Sequence, residues 1–189
     1  MKIALILGSP RATSNSAKIA EKAVSALPGG DKEVRKFVIN QLGARGCQGC
    51  DSCKKKTETC VVKDEMNQVL VACQESDVLV VASPVYIGEI SAQLKLFVDR
   101  SYAWYKPDFI TNPNPSRLPA GKKLLFILTQ GNPDPDCYRS GITEKYVNYF
   151  SSHGLKCASL AAVIPHDPAL VEEALEKHYR EVSRIAASL

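Results

Sequence analysis

Long apolar runs are missing from this 189-residue chain: nothing approaches the ~20 consecutive apolar residues that a membrane span requires. The opening run Ile3-Ala4-Leu5-Ile6-Leu7 ends at Gly8, too short for the core of a secretory signal and without a small-residue cleavage site behind it. Charge of one sign is also scarce. The formal net charge is +4, and no basic tract interleaves with aromatics, so the sequence points to neither a nucleic-acid nor a membrane partner. The three histidines share no metal spacing, and neither a Gly-x-Ser-x-Gly elbow nor a Ser-His-Asp arrangement appears. With 45% hydrophobic and 23% charged residues, disorder is excluded as well.

Cysteine is what the chain has in excess. Seven are present, and Cys47, Cys50, Cys53 and Cys60 fall within one short segment. An odd count in a chain long enough to bury about 70% of its surface argues against a secreted disulfide framework. The expected location is the cytoplasm, where thiols stay reduced and clustered cysteines bind metal or do redox work.

Short apolar runs alternate with helical patterns. Strands are expected at residues 2–7, 33–39, 78–82, 123–129 and 156–163. The first, third and fourth are near-continuous Val, Ile, Leu, Ala and Phe, as strands buried on both faces are. Helices are expected at 14–27, 64–75, 91–102 and 143–153, the last of these ending at Gly154, and a final one begins at Asp167-Pro168. This alternation predicts a three-layer α/β domain over residues 1–189 with a five-stranded parallel sheet. Two long connections remain, a cysteine-rich one at 43–63 and a proline-rich one at 105–122.

Ligands of open parallel sheets sit at the carboxyl ends of the strands. The segment after the first strand supplies Ser9, Arg11, Thr13, Ser14, Asn15 and Ser16 at the start of a helix, a donor set suited to a phosphate. Helix capping by Thr13 or Ser14 is the plainer reading of the same residues. No Walker lysine and no Gly-x-Gly-x-x-Gly pattern is present. After the third strand come Pro84, Val85, Tyr86, Ile87 and Gly88, read as a stiffened turn offering flat and apolar surface. Thr129, Gln130 and Gly131 end the fourth strand.

Taken together these loops resemble the flavodoxin-like NADPH-dependent FMN reductases. The match is specific at Gly8-Ser9-Pro10-Arg11 with Ser14-Asn15-Ser16 and at Ser83-Pro84-Val85-Tyr86. It continues through the helix stretch Gln93-Leu94-Lys95-Leu96-Phe97-Val98-Asp99-Arg100. The resemblance implies the strand order 2-1-3-4-5 and an FMN whose phosphate is held by the first loop. Its ring would lie along residues 84–88 and 129–131, and NAD(P)H would be the co-substrate. It implies a homo-oligomer, dimer or tetramer, and no catalytic side chain, because the flavin carries the chemistry.

The spacing Cys47-x2-Cys50-x2-Cys53-x6-Cys60 lets three thiolates wrap one face of a cluster and a fourth close it. Lys54, Lys55, Lys56 and Lys63 would offset the charge of a ligated cluster. The motif resembles that of the iron–sulfur flavoproteins, a branch of the same family, which implies a 4Fe-4S cluster beside the flavin site. Zinc, a disulfide within the loop, and no ligand at all stand as alternatives. The expected function is transfer of electrons from NAD(P)H to a small acceptor such as a flavin or quinone, or to a redox partner protein. A non-enzymatic electron carrier and a zinc-stabilised interaction domain are the readings from other classes.

Overall fold

The computed structural model describes every residue except Ala12. Among the described residues the order is β1 (Lys2–Leu7), α1 (Asn15–Ala26), β2 (Glu33–Val38), α2 (Ser52–Lys55), α3 (Met66–Glu75) and β3 (Val78–Tyr86). There follow β4 (Glu89–Ile90), α4 (Ala92–Arg100), β5 (Lys123–Gln130), α5 (Glu144–Ser151), β6 (Lys156–Val163) and α6 (Pro168–Ala187). The long strands are all parallel, in the order β2-β1-β3-β5-β6. With the two-residue β4 set aside, this is the expected 2-1-3-4-5 arrangement of a flavodoxin-like sheet. No helix among the described residues is long and apolar enough to cross a membrane.

The sheet explains the apolar runs. Ile3, Leu5, Leu7, Val78, Val80, Leu125 and Ile127 pack with residues of α1 and α6. Ala4, Ile6, Leu79, Val81, Leu124 and Phe126 pack with residues of α3, α4 and α5. A central strand covered on both faces has no polar side to show, so its sequence reads as one apolar stretch. The edge strand β2 keeps only Phe37 fully inside.

Helix starts are set by side chains visible in the sequence. Ser14 Oγ accepts the Ala17 N–H at 3.2 Å, Ser91 Oγ accepts that of Leu94 at 3.2 Å, and Asp167 Oδ1 accepts that of Ala169 at 2.9 Å. The helix expected from residue 64 begins at Met66, because the Asp64 carboxylate takes the Met66 N–H from outside the first turn, at 3.1 Å. Past α5, Gly154 adopts a positive φ of 81°, the left-handed conformation that glycine tolerates.

The sequence pattern ends the third strand at Ala82 and makes 83–90 a turn; the structure differs. β3 runs on through Pro84, paired with Thr129 of β5, and then folds back antiparallel on β4, with Val85 opposite Ile90 and Tyr86 opposite Glu89. Pro84 therefore stiffens a strand end, and the turn is Ile87-Gly88, with φ of 48° and 69°. A β-branched residue with positive φ is rare.

The first loop is tied to this hairpin. Gly8 N–H donates to Ala82 O at 2.8 Å, Ser91 Oγ donates to Gly8 O at 2.6 Å, and Ser91 N–H donates to Ser83 Oγ at 3.0 Å. A Cβ at Gly8 would stand 2.6 Å from Leu94 Cβ. Gly8→Ala is expected to destabilise the protein by about 1–3 kcal/mol through overpacking, read as a lower midpoint in urea melts.

Candidate functional site

Parallel pairing brings the carboxyl ends of the strands to one edge, where four outgoing segments surround a cavity of about 420 Å³. That volume falls within the ~300–1,000 Å³ typical of small-molecule sites. The first loop and the start of α1 contribute Ser9, Arg11, Ser14, Asn15 and Ser16; β3 contributes Pro84, Val85 and Tyr86; the end of β5 and the residue after it contribute Thr129, Gln130 and Gly131. Of the residues singled out in these loops, Thr13 does not line it, and neither do Ile87 and Gly88. Ile87 and Gly88 form the hairpin tip, and the Ile87 side chain stands fully in solvent.

The fourth wall was not read from the sequence. Ile164, Pro165, His166, Pro168 and Val171 supply it, from the segment that follows β6. His166 invites a capping role beside Asp167, yet Asp167 caps α6 unaided, and the His166 ring fills the space in front of Gly131. A Cβ there would meet its Nε2 at 2.5 Å. The usable signal was position: His166 leaves the sheet at the same edge as the other three segments.

The electrostatics of the mouth favour an anion. Ser14 does cap α1, and its Oγ also lies 3.2 Å from Ser16 Oγ. Ser9 Oγ accepts the Arg11 N–H at 3.2 Å, which folds the loop back over the helix start. Ser9, Ser14 and Ser16 are buried, and the Arg11 side chain is exposed at the rim. First-turn N–H groups lack intrahelical partners and carry the positive end of the dipole. Deeper in, Gln130 Nε2 donates to Asn132 O and Asp134 O at 3.2 and 2.7 Å, while its Oε1 is buried with no donor among the described residues. Such an orphaned acceptor calls for a ligand N–H. The cavity can thus take a phosphate at one end and a group with edge donors at the other. It holds no nucleophile–base pair.

The four cysteines of the long loop also converge. Cys47, Cys50, Cys53 and Cys60 line one small cavity of about 40 Å³, and all are free thiols. Among the described residues no three His, Cys, Asp or Glu side chains are gathered closely enough to hold a metal ion. Two cations attend the sulfurs: Arg100 Nε donates to Cys60 Sγ at 3.0 Å, and Lys54 Nζ to Cys53 Sγ at 3.5 Å. Lys55, Lys56 and Lys63 stay exposed, and Lys55 pairs with Asp51. Arg100 was missed because the sequence shows it only as the end of the 93–100 helix stretch.

Arg100 is fully buried, and its donors reach five acceptors. Besides Cys60 they are Arg45 O, Asp64 Oδ2, Val62 O and Asn67 Oδ1, at 2.8–3.0 Å. Burial alone would raise the Asp64 carboxyl. The Arg100 hydrogen bond, the Arg45 N–H and the guanidinium charge together hold it below the ordinary carboxylate range. Trp104 and Tyr105 cover no part of the strand-edge cavity. They pack with Tyr149 around His153, whose imidazole burial, aided by the Lys54 charge, pushes down to about 4.

The cysteine cavity and the strand-edge cavity share no lining residue. The cysteine cavity abuts Asp99, Arg100 and Tyr102 at the C-terminal end of α4, whereas Ser91 at its N-terminal end holds the first loop. Along the helix, Ser91 and Asp99 stand eight residues, about 12 Å, apart.

Removing the guanidinium strands a buried carboxylate, so Arg100→Met is expected to cost about 3–5 kcal/mol in urea melts at pH 7. Because the folded carboxyl titrates below its ordinary value of 3.8, its contribution is complete above that pH and is lost as the pH falls further. Asp64→Asn is expected to flatten that acid limb in melts between pH 5 and 2.5.

A family model for NADPH-dependent FMN reductases matches residues 1–134. An iron–sulfur flavoprotein of Archaeoglobus fulgidus is 40% identical over 100 residues, covering 53% of this chain and 45% of that protein. The chain spans about half the length of the iron–sulfur flavoproteins it matches. The YwqN protein of Bacillus subtilis, provisionally named an NAD(P)H-dependent FMN-containing oxidoreductase, is 31% identical over 160 residues, covering 82% of this chain and 80% of its own. The FMN-dependent NADH-azoreductase of Bacillus anthracis, solved in complex with FMN, superposes with a TM-score of 0.68. It covers 98% of this chain and 97% of its own at 19% identity, a likeness of fold.

Proposed function

The chain belongs to the NADPH-dependent FMN reductase family, and from that premise we propose that it is an FMN-dependent oxidoreductase. In this reading it takes electrons from NAD(P)H and hands them to a small acceptor, such as a flavin or quinone, or to a redox partner protein. The observation that carries the reading is the strand-edge cavity, with buried hydroxyls and a helix start at one end and the unpaired Gln130 Oε1 at the other.

The residues present fit FMN. Ser9, Arg11, Ser14, Asn15 and Ser16 would hold the phosphate, and the backbone of residues 84–86 and 129–131 would hold the ring edge, with Gln130 Oε1 accepting a ring N–H; Ile87 and Gly88, which the sequence also pointed to, stand outside the cavity. Bound there, FMN supplies hydride acceptance and release of electrons singly or in pairs. The chain's own part is to bind, orient and shield: His166 closes one wall, and Tyr86 offers its ring at the rim. A second copy of the chain covering the exposed tip of Tyr86 and Ile87 belongs to this reading.

A 4Fe-4S cluster on Cys47, Cys50, Cys53 and Cys60 is the second element. Four free thiols on one cavity, two cations at their sulfurs and relatives named iron–sulfur flavoprotein support it. The thiols would have to draw together around it, since no three are gathered now. A cluster would supply single-electron transfer.

Ser16→Ala and Arg11→Ala are each expected to weaken FMN binding about tenfold, as one charge-assisted hydrogen bond of ~1.5 kcal/mol implies; fluorescence titration with free FMN reads this. Anaerobic addition of NADPH or NADH to the FMN-loaded protein is expected to bleach the flavin. Failure with both nicotinamides leaves the non-enzymatic carrier. Protein purified without air is expected to contain iron and inorganic sulfide in equal amounts, and a flavin spectrum without either retires the cluster.

A further inference from the structure

The two outer strands of the sheet are dressed differently. β2 carries Glu33, Arg35 and Lys36, and the ion pairs Arg35–Glu75 and Lys36–Glu21 tie that edge to α3 and α1. Charges of this kind keep a free strand edge from recruiting another chain. At the opposite side β6 pairs with β5 alone among the described residues, and from Cys157 to Val163 it carries neither a charge nor a proline.

Alternation fixes which groups of β6 are open. Lys156 N–H donates to Lys122 O at 3.0 Å and Ile164 N–H to Gln130 O at 2.8 Å, so the even-numbered positions bond toward β5. The odd-numbered positions therefore turn their N–H and C=O groups outward. Val163 O is already taken, by His178 Nε2–H at 3.0 Å. The N–H and C=O of Ser159 and Ala161 have no partner among the described residues.

Ser159, Leu160 and Ala161 floor a groove of about 490 Å³ that shares no lining residue with the strand-edge pocket. Glu144, Val147 and Asn148 of α5 form one wall, and Glu181 of α6 stands on the other. The lining holds the carboxylates of Asp136, Glu144 and Glu181 against the one guanidinium of Arg139, whose Nε donates to Asp136 at 2.9 Å. Glu144 is exposed and makes no ion pair among the described residues. Glu181 meets His178 Nδ1 at 3.1 Å through Oε2 and keeps Oε1 free. Thr143, Asn148 and Ser159 add hydroxyls and an amide, which serve a guest of either sign and do not choose between them.

We propose that this groove binds an extended, basic segment of a partner protein, which adds a strand to β6 and sets one cationic side chain against Glu144 and the next against Glu181. The main chain of Ser159 and Ala161 offers four hydrogen-bonding groups two residues apart, the repeat of an added strand. Cys157 packs with the α5 layer and Leu160 with the α6 layer, so successive residues of the occupant face the two walls in turn. A second copy of the chain does not suit this edge. Paired through β6 across a twofold axis, it would set α5 against α5 and α6 against α6, acidic wall to acidic wall.

The probe is the peptide Thr-Val-Lys-Arg-Val-Thr labelled with a rhodamine dye, titrated by anisotropy into the full-length protein as purified. Saturable binding is expected, weakened about fivefold by Glu144→Gln and Glu181→Gln together, and weakened by added salt. A peptide with Glu-Glu at its centre is expected to bind at least about tenfold more weakly. The same loss is expected on N-methylating the Lys and Arg amides, because one of any two adjacent amides faces β6. Ser159→Pro removes an outward N–H without touching the β5 ladder, and is expected to weaken binding at least about tenfold with FMN content unchanged; the methylated peptide decides if that variant does not fold. Absence of saturable binding, the methylated or the Glu-Glu peptide bound as tightly, or an oligomer that Ser159→Pro dissociates would each overturn the proposal, the last by giving the edge to a second copy.

Discussion

The strand-edge site depends on one constraint, the common register of the central strands. Leu7 pairs with Ala82, and Ala82 with Ile127, so the chain leaves β1 beside the path of its neighbours. Because every long strand runs the same way, the loops that follow β1, β3, β5 and β6 emerge on one side, where their polar groups converge without any of them lying in the core. The register is itself enforced by burial. A one-residue slip of β1 would exchange Leu5 for Ile6 across two packed helical layers, and both layers are already filled.

A second, smaller organiser governs the cysteine loop. Without Arg100, that loop would hold a carboxylate, two carbonyls and a side-chain amide near the core with no common donor. The guanidinium satisfies them together and meets Cys60 as well. Arginine suits this post and lysine does not, since a planar fork can address five acceptors in fixed directions. The loop is thus pinned near both ends, at Arg45 and at Cys60 and Val62, while Cys47 and Cys50 stay exposed.

Much of this was legible in the residues. The central strands announced themselves by unbroken apolar runs, and Ser14, Ser91 and Asp167 marked helix starts to within a residue. The strand-edge cavity could be anticipated because three loops of like chemistry follow three strands. What escaped was whatever depends on long-range pairing. The β3–β4 hairpin exists because β5 continues alongside Pro84, which no local pattern in residues 83–90 reveals. His166 escaped because its neighbour Asp167 accounts for the local sequence. Arg100 escaped because a charged residue at a helix end ordinarily faces water, and only the folded loop turns that position inward.

The separation along α4 has a consequence of another kind. Sites that share no partners and stand more than ~7–10 Å apart contribute to stability and binding almost independently. By that rule, substitutions around Asp99 and Arg100 at one end of α4 are expected to add to those around Ser91 at the other with little coupling. The helix thus acts as a spacer that keeps what happens at its cysteine-loop end apart from what happens at its first-loop end.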